Sequence, residues 1–235
     1  MKVEIWSDVV CPWCYIGKRR FEAALEKFEH RDQVEIVWRS YQLDPTSPKQ
    51  SDETTTEHLM KKYGLTEQKA RGMNEQVSGL AAEEGLEYHL ENAKVANTFD
   101  AHRLIHLAAH HGLQDQQKER LLKAYFTEGE AVGDLETLVK LGTEIGLDAD
   151  EVRETLQGSA YTDEVKADIR RARDFGIQGV PFFAIDETYG VSGAQPVEVF
   201  EQVLERAWSD SHKRLITVTP GAQGVGSCDG DSCTI

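Results

Sequence analysis

Strand character is confined to the two ends of this 235-residue chain. Val3-Glu4-Ile5-Trp6 and Val34-Glu35-Ile36-Val37-Trp38-Arg39 lie near the start, and Val180-Pro181-Phe182-Phe183-Ala184-Ile185 and Tyr189-Gly190-Val191-Ser192 near the end. From Asp44-Pro45 to Phe175 the apolar residues recur at helical spacing instead. A sheet must therefore be assembled from distant pieces, and the chain reads as an α/β domain, residues 1–43 and 176–212, interrupted by an all-helical insertion, residues 44–175. Phe21, Leu25 and Phe28 give the first helix a face for the sheet, and a helix from Pro196 through Val199, Phe200, Val203, Leu204 and Ala207 follows a turn at Asp186-Glu187. Within the insertion, helices are expected to begin near Asp52, Thr66, Asn97-Thr98, Gln114, Asp134 and Asp148, with Asp148 and Glu151 placed for a capping box, and a last one to run from Thr162 to Phe175. Gly133, Gly146, Gly158 and Gly176 fall where helices should stop. Residues 213–235 form a glycine-rich tail.

The junction between the first strand and the first helix carries Cys11-Pro12-Trp13-Cys14. A helix start offers unpaired N–H groups and the positive end of the helix dipole, which favour a thiolate, and the second cysteine lies one turn on, close enough for a disulfide. Half of a zinc site and an inert buried pair are the other readings of the spacing, although a structural zinc needs four ligands. Pro12 and Trp13 bring no positive charge, so thiolate stabilisation is expected to rest on the helix terminus, with Asp8, if close, raising the thiol pKa.

The formal net charge of −15 argues against nucleic acid, whose phosphates need a basic surface. It also repels glutathione-like anions unless a basic pocket compensates. No apolar stretch is long enough to span a bilayer, so no membrane association is expected. Met1-Lys2 leads straight into the strand with no room for a leader, which makes a cytoplasmic setting the expectation. In a reducing compartment a cysteine pair is catalytic, redox-sensing or metal-binding rather than a permanent staple.

Ser7-Asp8-Val9-Val10-Cys11-Pro12-Trp13-Cys14, then Ala96-Asn97-Thr98-Phe99-Asp100-Ala101-His102-Arg103, then Gly179-Val180-Pro181-Phe182-Phe183 with Gly193-Ala194-Gln195 together resemble the thioredoxin superfamily. Within it the chain is similar to the DsbA group and most closely to its FrnE-type branch, related to 2-hydroxychromene-2-carboxylate isomerases and kappa-class glutathione transferases. The resemblance implies a thioredoxin fold interrupted by a large helical insertion, with Cys11 the exposed nucleophile, Cys14 the resolving thiol and Pro181 a cis-proline beside the pair, its Val180 backbone turned outward to substrate. An ordinary trans proline opening a strand is the plain alternative. It implies a thiol-disulfide oxidoreductase acting on protein or low-molecular-weight thiols and disulfides, coupled to a thiol reductant system. No cofactor and no metal is expected. Asn97 and His102 belong to the matching motif and are candidate neighbours of the thiols.

Trp13, Phe182 and Phe183 are candidates for an apolar surface around the thiols or, equally simply, for core filling. His102, His106 and His110 share a helix stripe, readable as a metal site or as histidines that hydrogen-bond between the two parts of the chain. Cys228 and Cys233 form a Cys-x4-Cys pair in the tail. A tail extended at ~3.3 Å per residue reaches Cys11, so this is a candidate second redox pair or oxidant sensor; a disordered end with incidental cysteines and a four-cysteine metal site are the alternatives. Two other functions compete: a glutathione-dependent isomerase or transferase, whose relatives carry serine at position 11 and lack a second thiol, and a non-catalytic redox or metal sensor.

Overall fold

The computed structural model describes residues 1–49 and 51–212, so Cys228 and Cys233 lie outside the described residues. Strands β1 (Lys2–Ser7), β2 (Glu35–Ser40), β3 (Phe182–Ile185) and β4 (Tyr189–Ser192) form a sheet in the order β2-β1-β3-β4. β1 and β2 run parallel from Lys2↔Glu35 to Ser7↔Ser40, while β3 is antiparallel to both β1 and β4. β1 is buried on both faces: Val3 and Ile5 meet the cluster of Phe21, Phe183 and Phe200, and Trp6 packs with Ala172, Ile177 and Ala184 on the other side. That is why the strand reads as a continuous apolar run rather than an alternating one. Glu4, buried on the second face, is paired to Arg39 and Arg171.

Helix α1 (Pro12–Lys27) and the last helix, α9 (Val197–Ser211), cover the first face. Between β2 and β3 come α2 (Thr55–Tyr63), α3 (Glu67–Glu83), α4 (Phe99–His110), α5 (Gln114–Phe126), α6 (Leu135–Glu144), α7 (Ala149–Gln157) and α8 (Thr162–Asp174). The α/β architecture split by helices is thus the one expected. The helix expected near Asp52 begins instead at Thr55, because Thr54 and Glu57 close a reciprocal capping box. Asp148 caps α7, but Glu151 turns to His111 rather than closing a box. Gly146, Gly158 and Gly176 follow helix ends, as expected. Gly133 does not: α5 ends at Phe126, and a β-carbon at Gly133 would stand 2.1 Å from the Lys49 carbonyl oxygen, so this glycine serves a close backbone approach. β3 starts two residues later than its apolar run, since Pro181 has no N–H for the ladder.

Candidate active site

Cys11 is the N-cap of α1 in an extended conformation and Pro12 takes the first helical position, where its missing N–H costs nothing. Cys11 and Cys14 are both free and both buried, 3% and 1% exposed. The expectation of an exposed Cys11 is therefore corrected: its sulfur is covered by the segment carrying Val180, whose carbonyl oxygen lies 3.5 Å from it. The Val180–Pro181 bond is cis. Gly17, one turn beyond Cys14, lets this segment approach, for a β-carbon there would be 2.9 Å from Pro181 Cγ. Tyr88 donates to the Pro12 carbonyl at 2.8 Å and stacks on Phe126.

Beneath the thiols lies a buried polar group. The Asp8 carboxylate accepts from the Val9 and Leu43 N–H groups, both at 2.8 Å, and from His102 Nε2 at 3.2 Å. Burial pushes the Asp8 carboxyl up, yet the bond from His102, the Leu43 N–H and the charge of Lys118 hold it below the usual range. Burial also lowers His102 although Asp8 pulls it back up, and its buried Nδ1 has no partner among the described residues. Lys118, from α5, is 1% exposed and donates to the Ser7 carbonyl at 3.3 Å. The site therefore does contain a positive charge, contrary to the reading from Pro12 and Trp13 alone. It came from a distant helix, and its signal was a lysine on the apolar stripe it shares with Leu121, Leu122 and Tyr125.

The two thiols share one charge. Cys11 is pushed well above the ordinary thiol value by its hydrogen bond to Cys14, by burial, and by facing Cys14 and Asp8. Cys14, although burial works against it, is lowered by the bond from Cys11 and by Lys118. The first proton leaves readily and the second against the charge left by the first.

Cys11, Pro12, Trp13, Gly179 and Val180 form one wall of a cavity of about 690 Å³, faced by Leu59, Tyr63, Met73 and Val77 from α2 and α3. Trp13, Leu43, Tyr63 and Met73, four of the five exposed large apolar side chains among the described residues, line it, and Lys62 is its only lysine or arginine. Phe183 fills the core against Phe21 and Phe200, and Phe182 packs on Trp6, so Trp13 alone of the three aromatics faces the cavity. Asn97 does not touch the thiols: its amide donates to the Pro45 and Ser47 carbonyls and fixes the loop bordering the cavity. His106 bonds Asp168 at 3.0 Å and Ser40 at 3.2 Å, and His110 is exposed, so His102 and His106 each join the helical segment to the sheet end. Among the described residues no cluster of three or more His, Cys, Asp or Glu is placed to hold a metal ion, and no helix is long and apolar enough to cross a membrane.

Residues 2–205 match a family model described as DSBA-like thioredoxin domain. The chain is similar to the Streptomyces coelicolor protein described as probable DsbA oxidoreductase SCO1869, with 44% identity, 97% of each chain covered and a TM-score of 0.86. It is 27% identical over 214 residues to the uncharacterized protein YwbO of Bacillus subtilis, covering 90% of this chain and 98% of that one. The cytosolic disulfide reductase DsbM of Pseudomonas aeruginosa has a similar fold, with a TM-score of 0.61, 16% identity, and 88% and 98% of the two chains covered.

Proposed function

From the premise that the chain belongs to the DsbA-like thioredoxin-domain family, a family of redox enzymes, we propose that it is a thiol-disulfide oxidoreductase working through Cys11 and Cys14 on protein or small disulfides. The observation that carries this reading is the Cys11 thiol on a helix N-terminus, held under the Val180 carbonyl at the edge of an apolar cavity with Cys14 one turn behind it. Cys11, passing its proton to the Cys14 thiolate with which it shares one charge, attacks a substrate disulfide and expels one substrate sulfur. Cys14 then attacks Cys11 Sγ, closing the enzyme disulfide and releasing the second substrate sulfur as a thiolate. The substrate is reduced by two electrons and the pair oxidised; a thiol reductant restores it, and the reverse sequence donates the disulfide.

Four exposed apolar side chains around the cavity suit an extended chain with apolar residues beside its cystine. A glutathione-dependent isomerase is less well supported, because both thiols are present and Lys62 is the single lysine or arginine lining the cavity among the described residues. The setting proposed is the cytoplasm, and the tail pair Cys228 and Cys233 is proposed as a second relay. Insulin-disulfide reduction tests the reading: Cys11→Ser should abolish turnover, and the Cys228→Ser/Cys233→Ser double variant should lower it. Full activity without Cys11 would sink the assignment; full activity in the double variant would remove only the relay. Fractionation of the source cells checks the setting.

A further inference from the structure

Two lysines are buried near the thiols, and they are treated differently. Lys18 has three carboxylates, Glu22, Asp115 and Glu119, within salt-bridge distance. Lys118 has none among the described residues: its ammonium meets the Ser7 carbonyl at 3.3 Å and lies 5.5 Å from the centre of the Trp38 ring. The nearby Asp8 is already engaged by His102 and two N–H groups. A buried cation without a paired anion is costly, so a counter-charge that appears during the reaction is the natural partner.

We infer that Lys118, supplied by the helical insertion, is the positioning residue whose buried positive charge stands against the Cys14 thiolate and so governs resolution of the mixed disulfide. The inference rests on the disulfide-exchange reading above. In the step concerned, the Cys14 proton passes to solvent, the thiolate forms a bond to Cys11 Sγ, the bond from Cys11 to the substrate breaks, and the electron pair leaves on the substrate sulfur, which is protonated by solvent. The ammonium keeps its proton throughout. The groups that face Lys118 are Cys11, Cys14 and Lys18 from α1, Asp8 from the loop before it, His102 from α4 and the Trp38 ring from β2. Burial draws the ammonium down and Cys14, Asp8 and Cys11 pull it back up, the balance leaving it at about 8.

Dithiobis-nitrobenzoate separates the two steps, because attack by Cys11 releases one coloured thiolate and resolution by Cys14 releases the second. In Lys118→Met the ratio of the second rate to the first should fall, by roughly threefold for each unit the Cys14 pKa rises, since a stronger nucleophile partly offsets the lost thiolate. The pH midpoint of the second phase should move upward, and Lys118→Arg should restore both in part. An unchanged ratio and midpoint in a folded Lys118→Met would overturn the inference. Should that variant not fold, the wild type decides: by reciprocity of coupling, the ¹³Cε resonance of Lys118 should titrate at lower pH in the oxidised protein than in the reduced one, and equal midpoints would refute the role. No first release from the wild type would sink the disulfide-exchange reading and this inference with it; two releases with an insensitive second phase would sink the inference alone.

Discussion

Gly17 and Asp8 are single residues on which the geometry around the thiols turns. Gly17→Ala should gain about 1 kcal/mol of helix propensity, yet its methyl would stand 2.9 Å from the Pro181 ring, which is not a flexible end that can swing aside. The expected outcome is an unchanged circular dichroism spectrum with disulfide exchange slowed severalfold; full turnover would mean that the contact between α1 and Pro181 is dispensable. His102→Ala removes one of three donors to a carboxylate with no exposed surface. A cost of about 1–3 kcal/mol is expected for the under-satisfied buried group, read as a lower urea midpoint. The sequence motif named His102 only as a candidate neighbour of the thiols, and the structure sets it against Asp8. Asp8 was legible only conditionally, because sequence proximity to Cys11 says nothing of the Leu43 N–H and His102 that hold it.

Helix α5 ties the inserted helices to the sheet. β2 is an edge strand, and its outer side is occupied by side chains instead of another strand: Gln114 accepts from the Trp38 N–H and donates to the Trp38 carbonyl, both at 3.0 Å, and Asp168 of α8 accepts from the Ser40 N–H at 3.0 Å. Arg19 pairs with Glu119 on the α1 side of the same helix. This is how an exposed ladder is kept from pairing with another chain. Gln114→Ala should therefore cost about 1–2 kcal/mol, two ordinary hydrogen bonds, and should raise the tendency to aggregate, both checked by denaturation with light scattering. A loss below the error of the fit would contradict the edge-covering role. Element starts were readable because caps such as Thr66, Asp134 and Asp148 act locally. What a helix face touches across the fold was not, since periodicity gives the apolar stripe but not its partner, and so Lys118 and Gln114 could not be tied to the thiols or to β2 in advance.

For the molecule as a whole, the direction of the pKa shifts sets how stability follows pH. Glu4, Asp8 and Asp168 are pushed up by burial but held lower by Arg171, His102 and His106 respectively, each with further partners. Their contribution is complete above the ordinary carboxylate value of about 4 and is lost as pH falls through the lower folded values. His102, lowered mainly by burial, makes the unfolded chain the better proton acceptor below about 6.5, so stability starts to fall there. Lys118 acts in the same sense between about 8 and the free-lysine value near 10.4, its burial penalty easing as pH rises. The phenols of Tyr88 and Tyr125 are raised by burial, and their contribution is lost as pH climbs past about 10. Urea midpoints of the reduced protein should climb from acid to a maximum on the mildly alkaline side and then drop; a maximum near pH 5 would contradict these assignments. At this scale the split α/β plan could be read directly from where strand character stopped and resumed, whereas the cavity could not, because Leu43, Tyr63 and Met73 join Trp13 only after folding. Those four side chains carry a further consequence. The exposed apolar side chains and the mouth of the cavity are the same place among the described residues, and the charge of −15 works against the approach of a second copy. Under the proposed function, substitutions that make the protein more soluble at high salt by polishing that patch should weaken substrate capture, so tolerance to concentration and breadth of substrates trade against each other.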